Sequence, residues 1–285
     1  MSEKNPIPEK PKKGFAMDPY EPNQIAERVL HVGVKKTRYP WYKTFVLGIL
    51  GGSFISFGAL YELFVLSHPA VGEGTSAVLA PLFYAMGYII AFIAGAEVFT
   101  TNNLSVMGLA SGHVSFWEVT KNWTIVLFAN LAGAVFIGLL FFFSGLALMF
   151  DAAIVETAKV LTAEKMSFGP MQTVIIGTFG NMLICAGLWL AMAGKSLTDQ
   201  YLALFLPVAA VPALNFQHFT GNMMQFFLAL VTEADEVALD LPSQITGWAI
   251  TQNLFLVAIG NIIGGGVFIA LIYYFVFIRE KRGKE

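Results

Sequence analysis

The chain has 285 residues, of which 56% are hydrophobic and only 13% are charged, and its formal net charge is −2. Soluble domains carry about a quarter charged residues, so this composition excludes an ordinary soluble protein and indicates an integral membrane protein. The near-neutral charge gives no indication of a nucleic-acid partner, and the single cysteine, Cys185, excludes an intrachain disulfide.

The first 40 residues are polar and are assigned to a cytoplasmic N-terminal segment, because no apolar stretch follows the early lysines as it does in a signal peptide. Residues 1–21 contain four prolines and are expected to be flexible. Within residues 22–38, Ile25, Val29 and Val32 lie at helical spacing. This pattern favours an amphipathic helix on the cytoplasmic membrane surface, with a polar linker as the alternative.

Six apolar runs follow, each long enough to cross a bilayer as a helix, which takes about 20 residues. The predicted spans are 44–66, 80–110, 119–148, 171–194, 200–232 and 248–278. Polar residues interrupt the second span near 98–102 and the fifth near 215–220. Residues 41–279 are therefore assigned to a six-span transmembrane domain, and residues 280–285 to a cytoplasmic tail.

The two interruptions resemble each other. Three residues of the first recur in the second, as Phe99 and Phe219, Thr100 and Thr220, and Asn102 and Asn222. The flanking runs also match, through Asn130 and Asn261 and through Gly133 and Gly264. Such repeated breaks are typical of inverted-repeat transport proteins. The sequence therefore predicts an all-α membrane protein of two inverted three-helix repeats, about 41–148 and 170–279, with helices 2 and 5 broken.

Lysine and arginine residues are concentrated on one side of the predicted membrane, which identifies the cytoplasmic side. Those that precede the first span or follow the last are Lys35, Lys36, Arg38, Lys43, Arg279, Lys281, Arg282 and Lys284. The opposite side has only Lys159 and Lys165, and its loop 231–246 is acidic. Both termini are therefore predicted to be cytoplasmic, which makes the two halves antiparallel.

A helix break leaves backbone N–H and C=O groups unsatisfied, which costs several kcal/mol in hydrocarbon. Breaks are therefore tolerated where they are buried or line a cavity, and their free helix ends attract ions and polar solutes. Two breaks from antiparallel repeats should meet near the middle of the membrane. We predict a solute path between them, with Thr100, Gln217, His218 and Asn222 along it.

His218 is the only one of the four histidines that is predicted to lie at membrane depth. Histidine changes charge near neutral pH, so His218 is interpreted as a path residue that also hydrogen-bonds Thr100. The alternative is a neutral histidine that only holds the break in place, and Gln217 could likewise satisfy the local backbone. Asn181 is expected to hydrogen-bond His218 or to bond across helices.

Three charged residues near the spans each have two interpretations. Lys165, just before the fourth span, either attracts anions at the pore mouth or snorkels at the membrane interface. Glu62 and Glu97 should face protein or water, because carboxylates are costly in lipid. They are candidate ligands in a cation-coupled carrier, although Glu97 could simply accept backbone N–H groups. No catalytic constellation, metal site or cofactor site is predicted.

Five ordered segments resemble the formate/nitrite transporter family of bacterial anion channels. They are AEVFTTN (96–102), KNW (121–123), GNMLICAGLWLAM (180–192), FQHFTGNM (216–223) and TQNLFLVAIGNIIGGG (251–266), within a resemblance that covers about 30–282. It implies a homopentamer embedded in the lipid of a bacterial or archaeal cytoplasmic membrane, in which each protomer has an aquaporin-like fold and its own pore. It also implies transport of small anions such as formate, nitrite, hydrosulfide, acetate or lactate, often with a proton.

The resemblance also assigns site residues. The cytoplasmic constriction would consist of Val98, Phe99 and Thr100, and the outer constriction of Tyr84, Tyr88 and Val211. The outer lysine, the amide and the central histidine would be Lys165, Asn181 and His218. The family usually has glutamate directly before this histidine, where the chain has Gln217, and phenylalanine is common at positions 84 and 211.

These observations predict a channel for weak-acid anions, formate first, that is linked to proton movement. The alternatives are a nitrite or hydrosulfide channel of the same family and, less directly, a haem-binding membrane anchor of a redox complex. A haem anchor normally needs paired histidines in the membrane. A water or glycerol channel of the aquaporin type carries paired Asn-Pro-Ala motifs, which this sequence lacks.

Overall fold

The computed structural model describes residues 19–231 and 245–279, and these residues form helices joined by short turns. The helices are α1 (Pro22–Thr37), α2 (Trp41–Ser67), α3 (Glu73–Ile93), α4 (Phe99–Asn102), α5 (Val106–Ala110), α6 (Phe116–Phe143), α7 (Ala153–Met166), α8 (Pro170–Ala193), α9 (Leu197–Ala213), α10 (Phe219–Val231) and α11 (Gly247–Asn261). Helix α11 continues through π-helical turns at Ile262–Leu271 and Tyr274–Ile278. The predictions for residues 1–18, for the acidic residues of 232–244 and for the tail 280–285 lie outside the described residues.

Five helices in the described ranges are long and apolar enough to cross a membrane, and they are α2, α3, α6, α8 and the continuous helix Gly247–Ile278. The predicted span 200–232 corresponds instead to two shorter apolar helices, α9 and α10. The second span was predicted at 80–110, but the helix begins earlier, at Glu73. This helix, α3, has 21 residues and is long enough to cross a membrane by itself. The chain is therefore an all-α, multi-pass membrane protein.

Glycines allow the spanning helices to pack at close range. A Cβ atom at Gly52 of α2 would collide with the backbone of Asn130 in α6, and one at Gly133 would collide with Ile49 O. The second half repeats this contact, because a Cβ at Gly264 would collide with Thr178 O of α8. Small residues let helix backbones approach each other in membranes, so the repeated glycines mark where α2 meets α6 and where α8 meets the helix that continues α11.

The N-terminal helix α1 packs against the rest of the protein. Its buried face includes Ile25, Val29, Leu30 and Val34, and it contacts α5, α8 and the end of the last helix. The helix predicted at 22–38 is thus formed, but its apolar face is covered by protein rather than by a membrane surface. The physical reason is the close fit at Gly33, where a Cβ would lie 3.3 Å from Ser105 Cα.

Two extended segments separate short helices from long ones. Helix α3 ends before Gly95, which has φ = +77°, and residues 96–98 then run in an extended conformation to α4. Helix α9 ends before Asn215, with φ = +55°, and residues 216–218 run to α10. We call residues 96–98 the first extended segment and residues 216–218 the second. Both coincide with the polar interruptions in the sequence.

Candidate functional site

Two asparagines hold the extended segments in place. Asn130 Oδ1 accepts a hydrogen bond from the Phe99 N–H at 2.9 Å, and its Nδ2 donates to Gly48 O at 2.7 Å and Glu97 O at 2.9 Å. Asn261 does the same in the second half. It accepts from Phe219 N–H at 2.9 Å and donates to Gly177 O at 2.7 Å and Gln217 O at 3.5 Å. The sequence analysis noted that Asn130 recurs as Asn261 but gave neither residue a role. That recurrence is the sequence feature from which their shared role could have been predicted.

The helices that follow the extended segments meet through Phe99 and Phe219, whose ring centroids are 5.2 Å apart. Both rings belong to an apolar cluster with Val126, Met223 and Val257. Phe99 was expected to line a constriction together with Val98 and Thr100, but it lines neither of the two cavities described below. Its ring turns into the core because Asn130 fixes its backbone and the equivalent phenylalanine packs against it.

A cavity of about 300 Å³ lies between α1 and the first extended segment, and we call it the Lys36 vestibule. Its walls are mostly apolar, and they include Tyr88, Val98, Leu104, Ile184, Leu188 and Leu204. Its polar residues include Lys36, Asn102, Asn122 and Gln200. The vestibule is large enough for a small solute together with water.

Lys36 forms an ion pair with Glu97, with 3.2 Å between Nζ and Oε1. Glu97 is fully buried, and its Oε2 accepts a hydrogen bond from Asn102 Nδ2 at 2.5 Å. The prediction that the Glu97 carboxylate accepts backbone N–H groups is therefore wrong, since its partners are the side chains of Lys36 and Asn102. The ion pair explains how a carboxylate is tolerated in this position, because a buried charge needs a partner.

A second, smaller cavity of about 50 Å³ lies beside α7 and α10, and we call it the Lys165 pocket. The residues around it include Glu62, Tyr84, Lys165, Val211, His218, Asn222 and Gln225. Lys165 is only 9% exposed, and its Nζ donates to Asn222 Oδ1 at 2.8 Å and to Gln225 Oε1. Lys165 thus lies inside the protein and does not snorkel.

Electrostatics at Lys165 combine two opposing effects. Burial lowers the pKa of the Lys165 ammonium, while the carboxylates of Glu62 and Glu164 act in the opposite direction. Gln225 Nε2 donates to Glu62 Oε2 at 3.2 Å, and Glu62 is 5% exposed. The expectation that Glu62 faces protein is confirmed. Gln225 was not predicted, although its position three residues after Asn222 places both on one face of α10.

His218 connects the two cavities through Tyr88. His218 lines the Lys165 pocket, Tyr88 lines the Lys36 vestibule, and the Tyr88 hydroxyl contacts the ring nitrogens of His218. Thr220 Oγ1 lies 3.0 Å from His218 Nδ1 and 2.6 Å from the Tyr88 hydroxyl. The imidazole therefore pairs with Tyr88 and Thr220 instead of the predicted Thr100. A polar contact of two buried side chains therefore lies between the cavities.

Asn181 and Thr100 lie behind this contact and line neither cavity. Asn181 Nδ2 donates to Thr100 O at 3.2 Å and to Asn261 O at 2.7 Å. Asn181 therefore does not bond His218. It bonds across helices, which was the second of the two expectations for this residue. Gln217 Nε2 donates to Lys165 O at 3.3 Å, so the amide satisfies a backbone carbonyl of α7 and not one of the break itself.

Comparison with known proteins gives consistent matches over nearly the whole chain. A sequence profile described as Formate/nitrite transporter matches residues 23–275. The chain is 31% identical over 270 residues to the uncharacterized transporter YrhG of Bacillus subtilis, covering 93% of this chain and 96% of that protein. It is also 31% identical over 278 residues to the formate channel FocA of Escherichia coli K12, covering 91% and 95%.

Solved structures agree with these sequence matches. A pentameric formate channel with formate bound superposes with a TM-score of 0.75 at 28% identity, covering 84% of this chain and 98% of that one. An aquaglyceroporin from Plasmodium falciparum superposes with a TM-score of 0.53 at 13% identity, over 84% of this chain and 98% of that one. The second likeness concerns the fold alone.

Proposed function

The chain belongs to the formate/nitrite transporter family, and from that premise we infer that it is a membrane channel for small weak-acid anions, with formate as its first substrate. One observation carries the proposal. Two cavities, each with a lysine among its lining residues, are separated by the contact of Tyr88 with His218. Relatives that are named formate channels support the choice of substrate.

The mechanism follows from the cost of moving a charge through an apolar passage. A bare anion at membrane depth costs at least several kcal/mol. Lys165 attracts formate to one mouth, where the anion takes up a proton from the adjoining water and becomes neutral formic acid. The neutral acid then passes the apolar side chains and releases its proton in the Lys36 vestibule. His218 lies where the path is narrowest and is therefore the residue that contacts the solute at this step.

The site residues take the following roles in this proposal. Tyr84, Tyr88 and Val211 narrow the path on the side of the Lys165 pocket, and Val98 narrows it towards the Lys36 vestibule. Thr100 supports the narrowing from outside the cavities, because its backbone carbonyl is held by Asn181. Asn181, Gln217 and Asn222 hold the breaks and Lys165 in position. Phe99 stabilises the core between the breaks rather than the path.

We further propose that the membrane domain consists of six spans in two inverted repeats. Helices α3 to α5 would form the broken second span, and α9 and α10 the broken fifth. The matching bonds of Asn130 and Asn261 support this arrangement, as does the contact of Phe99 with Phe219. The likeness to an aquaglyceroporin supports the aquaporin-like topology.

Assembly and orientation complete the proposal. The related structure is described as pentameric, so we propose five protomers, each with its own path, in a bacterial or archaeal cytoplasmic membrane. The cations before the first span and after the last indicate cytoplasmic termini. The Lys36 vestibule is then cytoplasmic, because α1 forms one of its walls, and the Lys165 pocket opens to the outside.

Uptake into proteoliposomes tests this function. The panel is formate, nitrite, hydrosulfide, acetate, lactate and glycerol, measured at several external pH values with empty liposomes as control. Formate should be taken up fastest and nitrite second, and formate uptake should accelerate as the external pH falls. Uptake of glycerol without formate would contradict the proposal, and loss of uptake on removing sodium would favour a cation-coupled carrier.

A further inference from the structure

Lys165 is connected to two residues through bridging side-chain amides. In the Asn222 bridge, Lys165 Nζ donates to Asn222 Oδ1 at 2.8 Å, and Asn222 Nδ2 donates to Gln217 Oε1 at 3.0 Å. In the Gln225 bridge, Lys165 Nζ donates to Gln225 Oε1, and Gln225 Nε2 donates to Glu62 Oε2 at 3.2 Å. The first bridge therefore ends on a neutral amide and the second on a carboxylate.

The first half of the chain contains a charged version of the Asn222 bridge. Glu97 stands two positions before Phe99 as Gln217 stands two positions before Phe219, and Asn102 Nδ2 donates to Glu97 as Asn222 Nδ2 donates to Gln217. Glu97 also pairs with Lys36 at 3.2 Å. The equivalent position in the second half has no charge, so the counter-charge of Lys165 must come from elsewhere.

We propose that Glu62 is the counter-charge of Lys165, a positioning residue that acts through Gln225 and sets the net charge that the Lys165 pocket presents to an arriving anion. The role in anion transport rests on the proposed function, whereas the pairing itself does not. Glu62 is the one carboxylate among the described residues that line this pocket. Glu164, which also lies near Lys165, is exposed and accepts a hydrogen bond from Asn215.

The two bridges leave one N–H donor of Lys165 for an anion. An ammonium has three N–H donors, and in the described part of the chain Asn222 and Gln225 take two of them. The third remains for an anion in the pocket, while Glu62 keeps the pocket neutral overall. A neutral pocket with a free donor attracts an anion without holding it tightly, which is what a channel mouth requires.

The proposed effect of Glu62 on the charge of the pocket is tested by moving the carboxylate from the end of the Gln225 bridge to the end of the Asn222 bridge. The variants are Glu62→Gln, Gln217→Glu and the double variant, compared for formate uptake with external substrate. Glu62→Gln should lower KM roughly threefold to tenfold and lower Vmax, because the uncompensated cation retains the anion. Gln217→Glu should raise KM, and the double variant should return it to within about twofold of the wild type, since the net charge is restored.

Glu164→Gln is the matched control, because it removes an exposed carboxylate near the same lysine, and its KM should stay close to that of the wild type. If Glu62 served packing alone, its replacement would lower the yield of folded protein. The KM values of the three variants would then not follow the net charge of the Lys165 pocket. An unchanged KM in folded Glu62→Gln, or a double variant that is not restored, would overturn the proposal.

A stability measurement separates this proposal from the proposed function. Thermal unfolding in detergent is compared for Glu62→Gln, Lys165→Met and the double variant. Each single change leaves a buried charge without its partner, so both singles should unfold at lower temperature and the double should recover part of the loss. Strictly additive losses would overturn the pairing. Absence of formate uptake by wild-type protein would overturn the proposed function. The unfolding temperatures of the three variants would still decide whether Glu62 is paired with Lys165.

Discussion

Asn130 and Asn261 make the same set of hydrogen bonds in the two halves of the chain. Each accepts a bond from the N–H of a phenylalanine and donates to two backbone carbonyls. Each side chain thereby joins a helix of its own half to the extended segment that lies beside it. The two asparagines thus satisfy backbone groups that a helix break would otherwise leave without partners.

Replacing either asparagine should destabilise the protein. Asn130→Ala or Asn261→Ala removes a side-chain partner from three backbone groups, and the N–H of Phe99 or Phe219 that is left unsatisfied costs about 1–3 kcal/mol. We expect a fall of several degrees in the midpoint of thermal unfolding in detergent, or loss of assembled protein. Gln252→Ala, at an exposed position of α11, is the control. Wild-type stability of both asparagine variants would contradict the role given to them.

Gly180 should be intolerant of even a methyl group. A Cβ there would collide with Gln217 O of the second extended segment, whereas a Cβ at Gly72 has no atom within 4 Å. Gly180→Ala should therefore displace the segment next to His218 and reduce formate uptake per folded protein more than tenfold, a loss of about 1.4 kcal/mol or more. Gly72→Ala should transport at the wild-type rate. Equal uptake by the two variants would show that the second segment can shift freely.

His218→Phe should strongly reduce formate uptake and flatten its dependence on pH without preventing assembly. The imidazole contacts the hydroxyls of Tyr88 and Thr220, which also bond each other at 2.6 Å, so those hydroxyls keep a partner when it is removed. Uptake between pH 5 and 8 and size-exclusion chromatography provide the measurements. A wild-type rate and pH profile would restore the interpretation of His218 as a purely structural residue.

Tyr88→Phe separates the hydroxyl from the ring at the same contact. The variant keeps the aromatic ring that packs 5.0 Å from the imidazole, but it removes the hydroxyl that bonds His218 and Thr220. Uptake should fall by a smaller factor than in His218→Phe, and the pH dependence should persist because the imidazole remains. A pH profile as flat as that of His218→Phe would assign the pH dependence to the pair of Tyr88 and His218 instead of to His218 alone.

The sequence predicted features that depend on local pattern or on internal repetition. The positions of both extended segments, the repeated asparagines and the presence of Lys165 at a cavity were all accessible in this way. Side-chain directions were not, because they depend on packing between distant segments. Phe99 lies in the core because Phe219 packs against it, and Gln225 reaches Glu62 from a helix 163 residues away in the chain. The polar contact of His218 likewise needed Tyr88, which the sequence suggested only as an apolar constriction.

Lys165 should determine how strongly the Lys165 pocket attracts an anion. Lys165→Ala removes the ammonium of the pocket and should slow formate uptake most at low substrate concentration and low ionic strength. Salt screens the approach of an anion over a Debye length of about 8–10 Å, so the difference from wild type should shrink as salt is added. Burial lowers the pKa of Lys165, so wild-type attraction should decline as pH rises through a range below that of an exposed lysine.

Two further variants distinguish charge at this position from charge nearby. Lys165→Arg keeps the charge but has to fit a larger planar group into a pocket of about 50 Å³ between Asn222 and Gln225, so it should lose most of the activity. Lys159 lies on the same helix and lines neither cavity, and Lys159→Met should therefore keep the salt dependence of the wild type in protein that folds. Equal uptake by wild type and Lys165→Ala across the salt series would contradict this role, because the anion would then enter without a positive charge in the Lys165 pocket. The ammonium of Lys165 would then only hold α7 against α10.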